Sequence, residues 1–241
     1  MISIVIPVYK SASTLLELHR RLSELAVAAN WKCEVIYVND ASPDQSLNVL
    51  KALPHSIDFR IINLKNNVGQ SSALLVGMLF AKHDLIATMD ADLQDEPEKL
   101  PELVHALKSE NDVIFAKRKG SYESGGRLFT SFIFKGLVHI YSGRRIPMNA
   151  GLFMTIRKHA ALQLLPFLPQ SPYLIGVIAH VKLRCDSVAI DRKGNQLGES
   201  SYTFKKRLAV AKRFFGTLKL RPTMRIDEVT EWVNLKLLAD D

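Results

Sequence analysis

Leu85-Ile86-Ala87-Thr88-Met89-Asp90-Ala91-Asp92-Leu93-Gln94-Asp95 is the stretch on which the fold turns. Its first five residues are apolar or β-branched and read as a short buried strand, Leu85–Met89. The acids begin where that strand ends. In extended backbone alternate residues face one way, so Asp90, Asp92 and Gln94 are expected to present oxygens to one point. A hard divalent cation such as Mg2+ takes oxygen ligands and shares them with substrate phosphates. Two carboxylates at the C-terminal end of a central strand suit a metal–diphosphate complex, at the edge where open α/β sheets bind ligands. The same residues also suit a solvated acidic loop that caps the next helix, because a bare D-x-D is a weak signal.

Outward from this stretch, β-rich runs alternate with helical patterns through the first half of the chain. Strands are expected at Ile2–Val8, Glu34–Asn39, Phe59–Leu64, Leu85–Met89 and Asp112–Ala116. Helical patterns lie between them near Ser13–Ala29, Ser46–Ala52, Gln70–Ala81 and Pro97–Leu107, with the Ser13 hydroxyl as a helix cap. Such alternation predicts an α/β fold with a mainly parallel sheet flanked by helices. After Lys119 it stops. Gly125-Gly126 breaks the chain, Leu128–Tyr141 reads as a helix, and strands are expected at Gly151–Ile156 and Val181–Ile190, then a basic helix from Thr203. No repeat or Pro/Ser-rich linker divides the 241 residues. We expect one domain over 1–241, with a ligand-binding half at 1–120, a second functional half at 121–220 and a tail at 221–241.

Composition is that of a soluble globular protein, with 47% hydrophobic and 23% charged residues. No apolar run reaches the roughly 18 to 20 residues that span a bilayer. No basic region or small-residue cleavage site flanks Ile2–Val8, so no signal peptide is expected. Cys33 and Cys185 form no disulfide or metal pattern, and a reducing cytoplasm suits them. The net charge of +8 is unevenly placed. Between Ser200 and Ile226 lie eight Lys and Arg residues and no acid, and from Ser124 to Cys185 there is again no Asp or Glu. An anionic partner for the second half is implied: phosphate, nucleic acid or lipid.

Two further motifs follow strand ends. In Asn39-Asp40-Ala41-Ser42-Pro43-Asp44, the Asp40 carboxylate suits either a nucleobase or ribose contact or an Asx turn. Asn67-Val68-Gly69 precedes a helix in which Ala73 and Gly77, four apart, place small residues on one face for close packing. Together with the opening Ser3-Ile4-Val5-Ile6-Pro7-Val8-Tyr9, these motifs resemble those of glycosyltransferase family 2, with its GT-A fold. Asn39–Asp44 is similar to the family's V-D-D-G-S-x-D turn, and Met89–Asp95 to its D-x-D signature. The form D-A-D-L-Q, and Gly198-Glu199-Ser200-Ser201-Tyr202 beside the G-E-S-K-Y of one subgroup, resemble the polyprenyl-phosphate glycosyltransferases.

The resemblance implies transfer of a sugar from a nucleotide-sugar donor with Mg2+ or Mn2+ as cofactor. It implies that Pro7, Tyr9 and Asp40, with Asn67 and Gly69, hold the nucleotide, and that Asp90, Asp92 and Gln94 hold the metal and diphosphate. Arg118 and Arg127 fall at its phosphate contacts, and Ser200 and Tyr202 join Arg127 on the acceptor side. Asp92, Arg118 and Arg127 are the implied catalytic set. The chain departs from the subgroup at Asn39, Leu152, Met154, Asn195 and Ser201, and it lacks the two C-terminal membrane helices that many members carry. The Q-x-x-R-W signature of processive synthases is absent too, so repeated extension is not expected.

A sugar hydroxyl acceptor needs a base, whereas a lipid phosphate is already anionic. The acid-free stretch after Ser124, with Arg127, Arg144 and Arg145, suits a phosphate. The expected acceptor is therefore a polyprenyl phosphate, with a hydroxyl of a lipid-linked or cell-surface glycan as the alternative. Over Thr203–Gly216, Phe204, Leu208, Ala211 and Phe215 share a face beside Lys205, Arg207, Lys212 and Arg213. Such a helix suits an anionic membrane surface, and equally a core-facing helix with a solvated rim. The expected location is cytoplasmic and peripheral at the membrane face. A D-x-D phosphohydrolase should carry that motif near its N-terminus, and a nucleic-acid-binding module should carry a recognisable motif; neither is found, and no nucleic-acid partner is expected.

Overall fold

The computed structural model describes residues 1–118, 150–190 and 204–239, with positions 136, 139, 140, 142, 143, 146 and 147; side chains at 118 and 204–210 fall outside that description. The helix expected at Leu128–Tyr141 lies largely outside the described residues.

An interior strand of the sheet is β1 (Ile2–Val8), buried at every position. It pairs in parallel with β2 (Cys33–Asn39) on one side and β4 (Leu85–Thr88) on the other, and β3 (Asp58–Asn63) extends β2. Pro7 lies opposite Val38, Val8 opposite Asn39, and Val5 opposite Thr88. β1 and β2 therefore end level and β4 ends three residues earlier, opposite Val5, and the residues that follow all three share one edge. Beyond β4 the direction changes. β6 (Met154–Arg157) runs antiparallel to both β4 and β5 (Val113–Arg118), and β7 (Cys185–Ile190) pairs in parallel with β5, giving the order β3-β2-β1-β4-β6-β5-β7. The mainly parallel α/β sheet read from the sequence is present.

Strand alternation assigns side chains to two cores. Ile4 and Ile6 of β1, with Val35 and Tyr37 of β2, meet α1 (Leu15–Ala28), α2 (Ser46–Lys51) and α4 (Leu100–Ala106) through Leu15, Leu18, Leu22, Leu50, Leu100 and Leu103. Val5, Ile36 and Val38 face the opposite side, where α3 (Gln70–Leu79) lies. Ser71 to Met78 are all buried, so α3 is enclosed all round rather than amphipathic. Its approach to the sheet depends on Gly77: a Cβ there would fall 2.2 Å from Val5 Cγ1 and 3.1 Å from Val38 Cγ2.

Several expectations are corrected. Ser13 does not cap α1. Thr14 is the N-cap and makes no side-chain capping bond; its hydroxyl lies 2.6 Å from the Ala91 carbonyl instead. The strand expected at Val181–Ile190 begins only at Cys185, because α5 (Lys158–Leu162) is followed by α6 (Leu174–Val181), which ends at Lys182 in the left-handed region. The strand expected at Gly151–Ile156 is Met154–Arg157. The basic helix is α7 (Phe204–Thr217), and 221–241 contains α8 (Ile226–Lys236), which buries Val229 and Val233 against the α3 side of the core.

Two tests follow from this packing. Gly77→Ala gains helix propensity but pushes a methyl into Val5 on an interior strand of the sheet, so overpacking by about 1–3 kcal/mol should dominate. Urea unfolding checks the sign; equal or greater stability would show that α3 can lift off the sheet. The second test concerns His19, buried in α1, whose Nε2 lies 2.8 Å from the Pro54 carbonyl and Nδ1 3.1 Å from the Tyr37 hydroxyl. A carbonyl only accepts, so Nε2 carries the proton and Nδ1 accepts from Tyr37. Burial lowers the His19 pKa below the usual 6.5. The unfolded chain then binds the extra proton, and this stability, complete above 6.5, is lost as pH falls through the folded value. The melting temperature should drop between about pH 7.5 and about pH 5.5, and less steeply in His19→Gln, which has no such proton to gain.

Candidate active site

The C-terminal ends of β1, β2 and β4 open into a cleft of about 330 Å³ lined by Pro7, Tyr9, Ser11, Asp40, Asn67, Gly69, Gln70, Asp90, Ala91 and Asp92. Residues far apart in sequence meet here because parallel strands place all their C-terminal ends on one edge.

Tyr9 follows β1 and is 45% exposed, offering an aromatic face to the cleft, with the Lys10 ammonium 5.5 Å from the ring centre. Asp40 follows β2 and is 2% exposed. Its Oδ1 accepts from the Val68 N–H at 2.7 Å and its Oδ2 from the Gly69 N–H at 2.9 Å, while its carbonyl accepts from Asn67 Nδ2 at 3.1 Å. Burial raises the Asp40 pKa, and the two N–H groups pull against that rise. Gly69 sits at φ 85°, a conformation suited to glycine, and is the N-cap of α3. Asp40 therefore builds the loop that starts α3 as well as lining the cleft. Asp44 is likewise engaged. Burial would raise its pKa, but the Ser42 and Ser46 hydroxyls and the Ser46 and Ala12 N–H groups hold it well below the usual carboxylate range.

At the acidic end the extended-strand expectation is corrected. β4 stops at Thr88, Leu93 takes a left-handed φ of 60°, and Asp92 Oδ1 accepts from the Gln94 N–H at 3.0 Å. The backbone turns, so alternation no longer orders Asp90, Asp92 and Gln94. Asp90 and Asp92 still line the cleft, and Gln94 is exposed without lining it. Gln70, which the motifs did not single out, donates from Nε2 to Asp90 Oδ1 at 2.6 Å. No spacing rule links positions 70 and 90; the contact exists only in the folded chain.

Among the described residues no group of three His, Cys, Asp or Glu forms a closed metal cage. Two carboxylates on an open wall fit a Mg2+ or Mn2+ ion that completes its shell with substrate phosphate and water. Arg118 ends β5, its side chain lying outside the described residues, as do Arg127, Ser200 and Tyr202 entirely. On α7, Phe214 and Thr217 are buried, Phe215 is half-buried, and Lys212 and Arg213 are exposed. The C-terminal half of this helix thus docks on the core, with Phe214 fully buried and Phe215 partly buried against the same cluster. No helix among the described residues is long and apolar enough to cross a membrane.

Comparison with known proteins identifies the family and the fold. The sequence profile described as Glycosyl transferase family 2 covers residues 3–165, so the chain belongs to that family of nucleotide-sugar transferases. It is 29% identical over 226 residues to an uncharacterised glycosyltransferase of Bacillus subtilis, covering 91% of this chain and 69% of that one. A second uncharacterised glycosyltransferase, from Synechocystis, is 29% identical over 207 residues, covering 85% of this chain and 65% of its own length. The chain thus spans about two thirds of these relatives. The fold is similar to that of glucosyl-3-phosphoglycerate synthase from Mycobacterium tuberculosis, solved with Mn2+, UDP-glucose and phosphoglyceric acid. That similarity has a TM-score of 0.65 at 16% identity and covers 90% of this chain and 78% of the other.

Asp40→Asn tests the loop-building role. An amide offers one acceptor oxygen, so either Val68 or Gly69 loses its partner, at about 1–3 kcal/mol for a buried donor. Denaturant unfolding should show that loss, and calorimetry should show weaker nucleoside diphosphate binding. Unchanged stability would mean that the two N–H bonds are dispensable.

Proposed function

We propose that this protein transfers a sugar from a nucleotide sugar, with a divalent cation, to a polyprenyl phosphate at the cytoplasmic face of a membrane. The observation that carries the donor side is the convergence of Tyr9, Asp40, Asp90 and Asp92 on one cleft. The nucleoside lies against Tyr9, beside Pro7, Asp40, Asn67 and Gly69, and the diphosphate lies towards Asp90 and Asp92. The Mn2+ and UDP-glucose named for the Mycobacterium tuberculosis fold relative support this donor set.

In the reaction the bond between the anomeric carbon and the β-phosphate oxygen breaks, and an acceptor oxygen forms the new bond to that carbon. The nucleoside diphosphate leaves with the electron pair, and a bound cation offsets its growing charge. Asp90 and Asp92 would hold that cation. Arg118 and Arg127 add positive potential, and Ser200 and Tyr202 contribute to the acceptor side. A phosphate acceptor arrives ionised, so no residue of the acid-free stretch need take a proton. The exposed Lys212 and Arg213 on α7 suit an anionic lipid surface.

The phosphoglyceric acid named for the fold relative supports a second reading, an acceptor that carries phosphate but reacts through a hydroxyl. The two make different products. Incubation with UDP-, GDP- and dTDP-sugars and Mn2+ should release nucleoside diphosphate when a short-chain polyprenyl phosphate is supplied, and mass spectrometry should find a phosphodiester-linked sugar in the lipid fraction. Product formed only on phosphoglycerate or on a glycan would overturn the lipid phosphate and leave the donor site standing. Asp92→Asn removes a ligand charge with little change in volume and should lower turnover by at least about a hundredfold without loss of fold. Retained activity at saturating Mn2+ would remove Asp92 from the site.

A further inference from the structure

Between the nucleoside end and the acidic end of the cleft lies the first turn of α3, and Gln70 is its first residue. The side chain lines the cleft, and its Nε2 donates to Asp90 Oδ1 at 2.6 Å. A carboxylate only accepts, so the amide nitrogen is the atom turned to Asp90. The backbone that carries Gln70 is fixed from both directions. Asp40 holds the N–H groups of Val68 and Gly69 just before it, and Gly77 lets α3 press onto β1 and β2 after it. The backbone position from which the amide reaches Asp90 is thus set by the packed fold.

We propose that Gln70 is a positioning residue for the cation–diphosphate end of the site, holding the Asp90 carboxylate in the orientation that receives the cation. This rests on the reading of Asp90 and Asp92 as the cation's ligands. The torsion that turns a carboxylate is broad and roughly two-fold, so a carboxylate on a cleft wall samples many orientations. A donor anchored on a rigid helix start narrows that range before the ligand arrives, which lowers the ordering cost of binding. The choice of amide has its own logic. A hydrogen bond donated to Asp90 favours its ionised form on a wall that also carries Asp92. An ammonium or guanidinium would do so more strongly, but it would also cancel the charge that attracts the cation. A neutral amide donates a bond and leaves both negative charges in place.

The test separates positioning from a merely structural role of α3. Gln70→Met keeps side-chain length and helix propensity but has no N–H, and Gln70→Ala removes the side chain altogether. Neither should change the melting temperature, because Gln70 is exposed. UDP affinity is measured by calorimetry in EDTA and again with Mn2+, and Mn2+ affinity in the presence of UDP by electron paramagnetic resonance. In both variants Mn2+ binding should weaken by about tenfold, as for loss of a hydrogen bond to a charged group. UDP affinity in EDTA should stay within about twofold of wild type. The Mn2+ concentration giving half-maximal rate should rise while turnover at saturating Mn2+ largely recovers. Unchanged Mn2+ affinity in the variants would overturn the proposal, as would an equal loss of UDP affinity with and without metal, the mark of a damaged α3. If the wild-type protein itself binds no Mn2+ with UDP, the donor-site reading fails first and takes this proposal with it.

Discussion

Both carboxylate oxygens of Asp40 are taken by backbone N–H groups, those of Val68 and Gly69, at a residue almost sealed from water. A buried carboxylate without donors would be costly, and two N–H groups ahead of a helix would be equally hard to leave unpaired. Each need answers the other. The bond pair ties the end of β2 to the start of α3, and α3 covers β1 and β2 from that point on. Tyr9, Asp90 and Gln70 take their places relative to this joint. The cleft is thus a consequence of how one loop satisfies its polar groups.

The first half of the fold is legible because its strands are short runs of β-branched and apolar residues followed by turn-forming ones. Ile2–Val8 is read to the residue, and the others to within one or two positions. The second half gives weaker signals. Leu174–Val181 is apolar at nearly every position and rich in Ile and Val, so it has no helical stripe to read, yet it is a helix because it is buried all round. The helix Ile226–Lys236 did carry a signal: Val229 and Val233 lie four apart, with Asp227 and Glu228 in the first turn. Glu228 also accepts from the Arg225 backbone N–H at 2.9 Å, the kind of closure that marks a helix start.

At the site, residue identity was legible and geometry was not. Asp40, Asp90 and Asp92 stand out by type and by position after strands. That Asp90 and Asp92 sit on a turn depends on Leu93 in a left-handed conformation, which a leucine does not announce. Gln70 lies beyond any local rule, because its contact with Asp90 needs β4 and α3 assembled. The same is true of Thr14, a residue with the chemistry of a helix cap whose hydroxyl instead reaches the carbonyl of Ala91.

The insertion of β6 between β4 and β5 has a consequence for how the chain is made. β1, β2 and β3 pair with their sequence neighbours and β4 returns to pair with β1, so every partner within this set is made by the time residue 88 is added. β4 then waits for a partner that lies in residues 154–157. At ordinary elongation rates of about 5–20 residues per second, that interval lasts roughly 3 to 14 s. Throughout it Leu85, Ile86, Ala87 and Thr88 offer an unpaired, apolar edge, the kind that recruits foreign strands or chaperones. Until residues 154–157 are made, therefore, the sheet formed by the first half of the chain has its β4 edge still open.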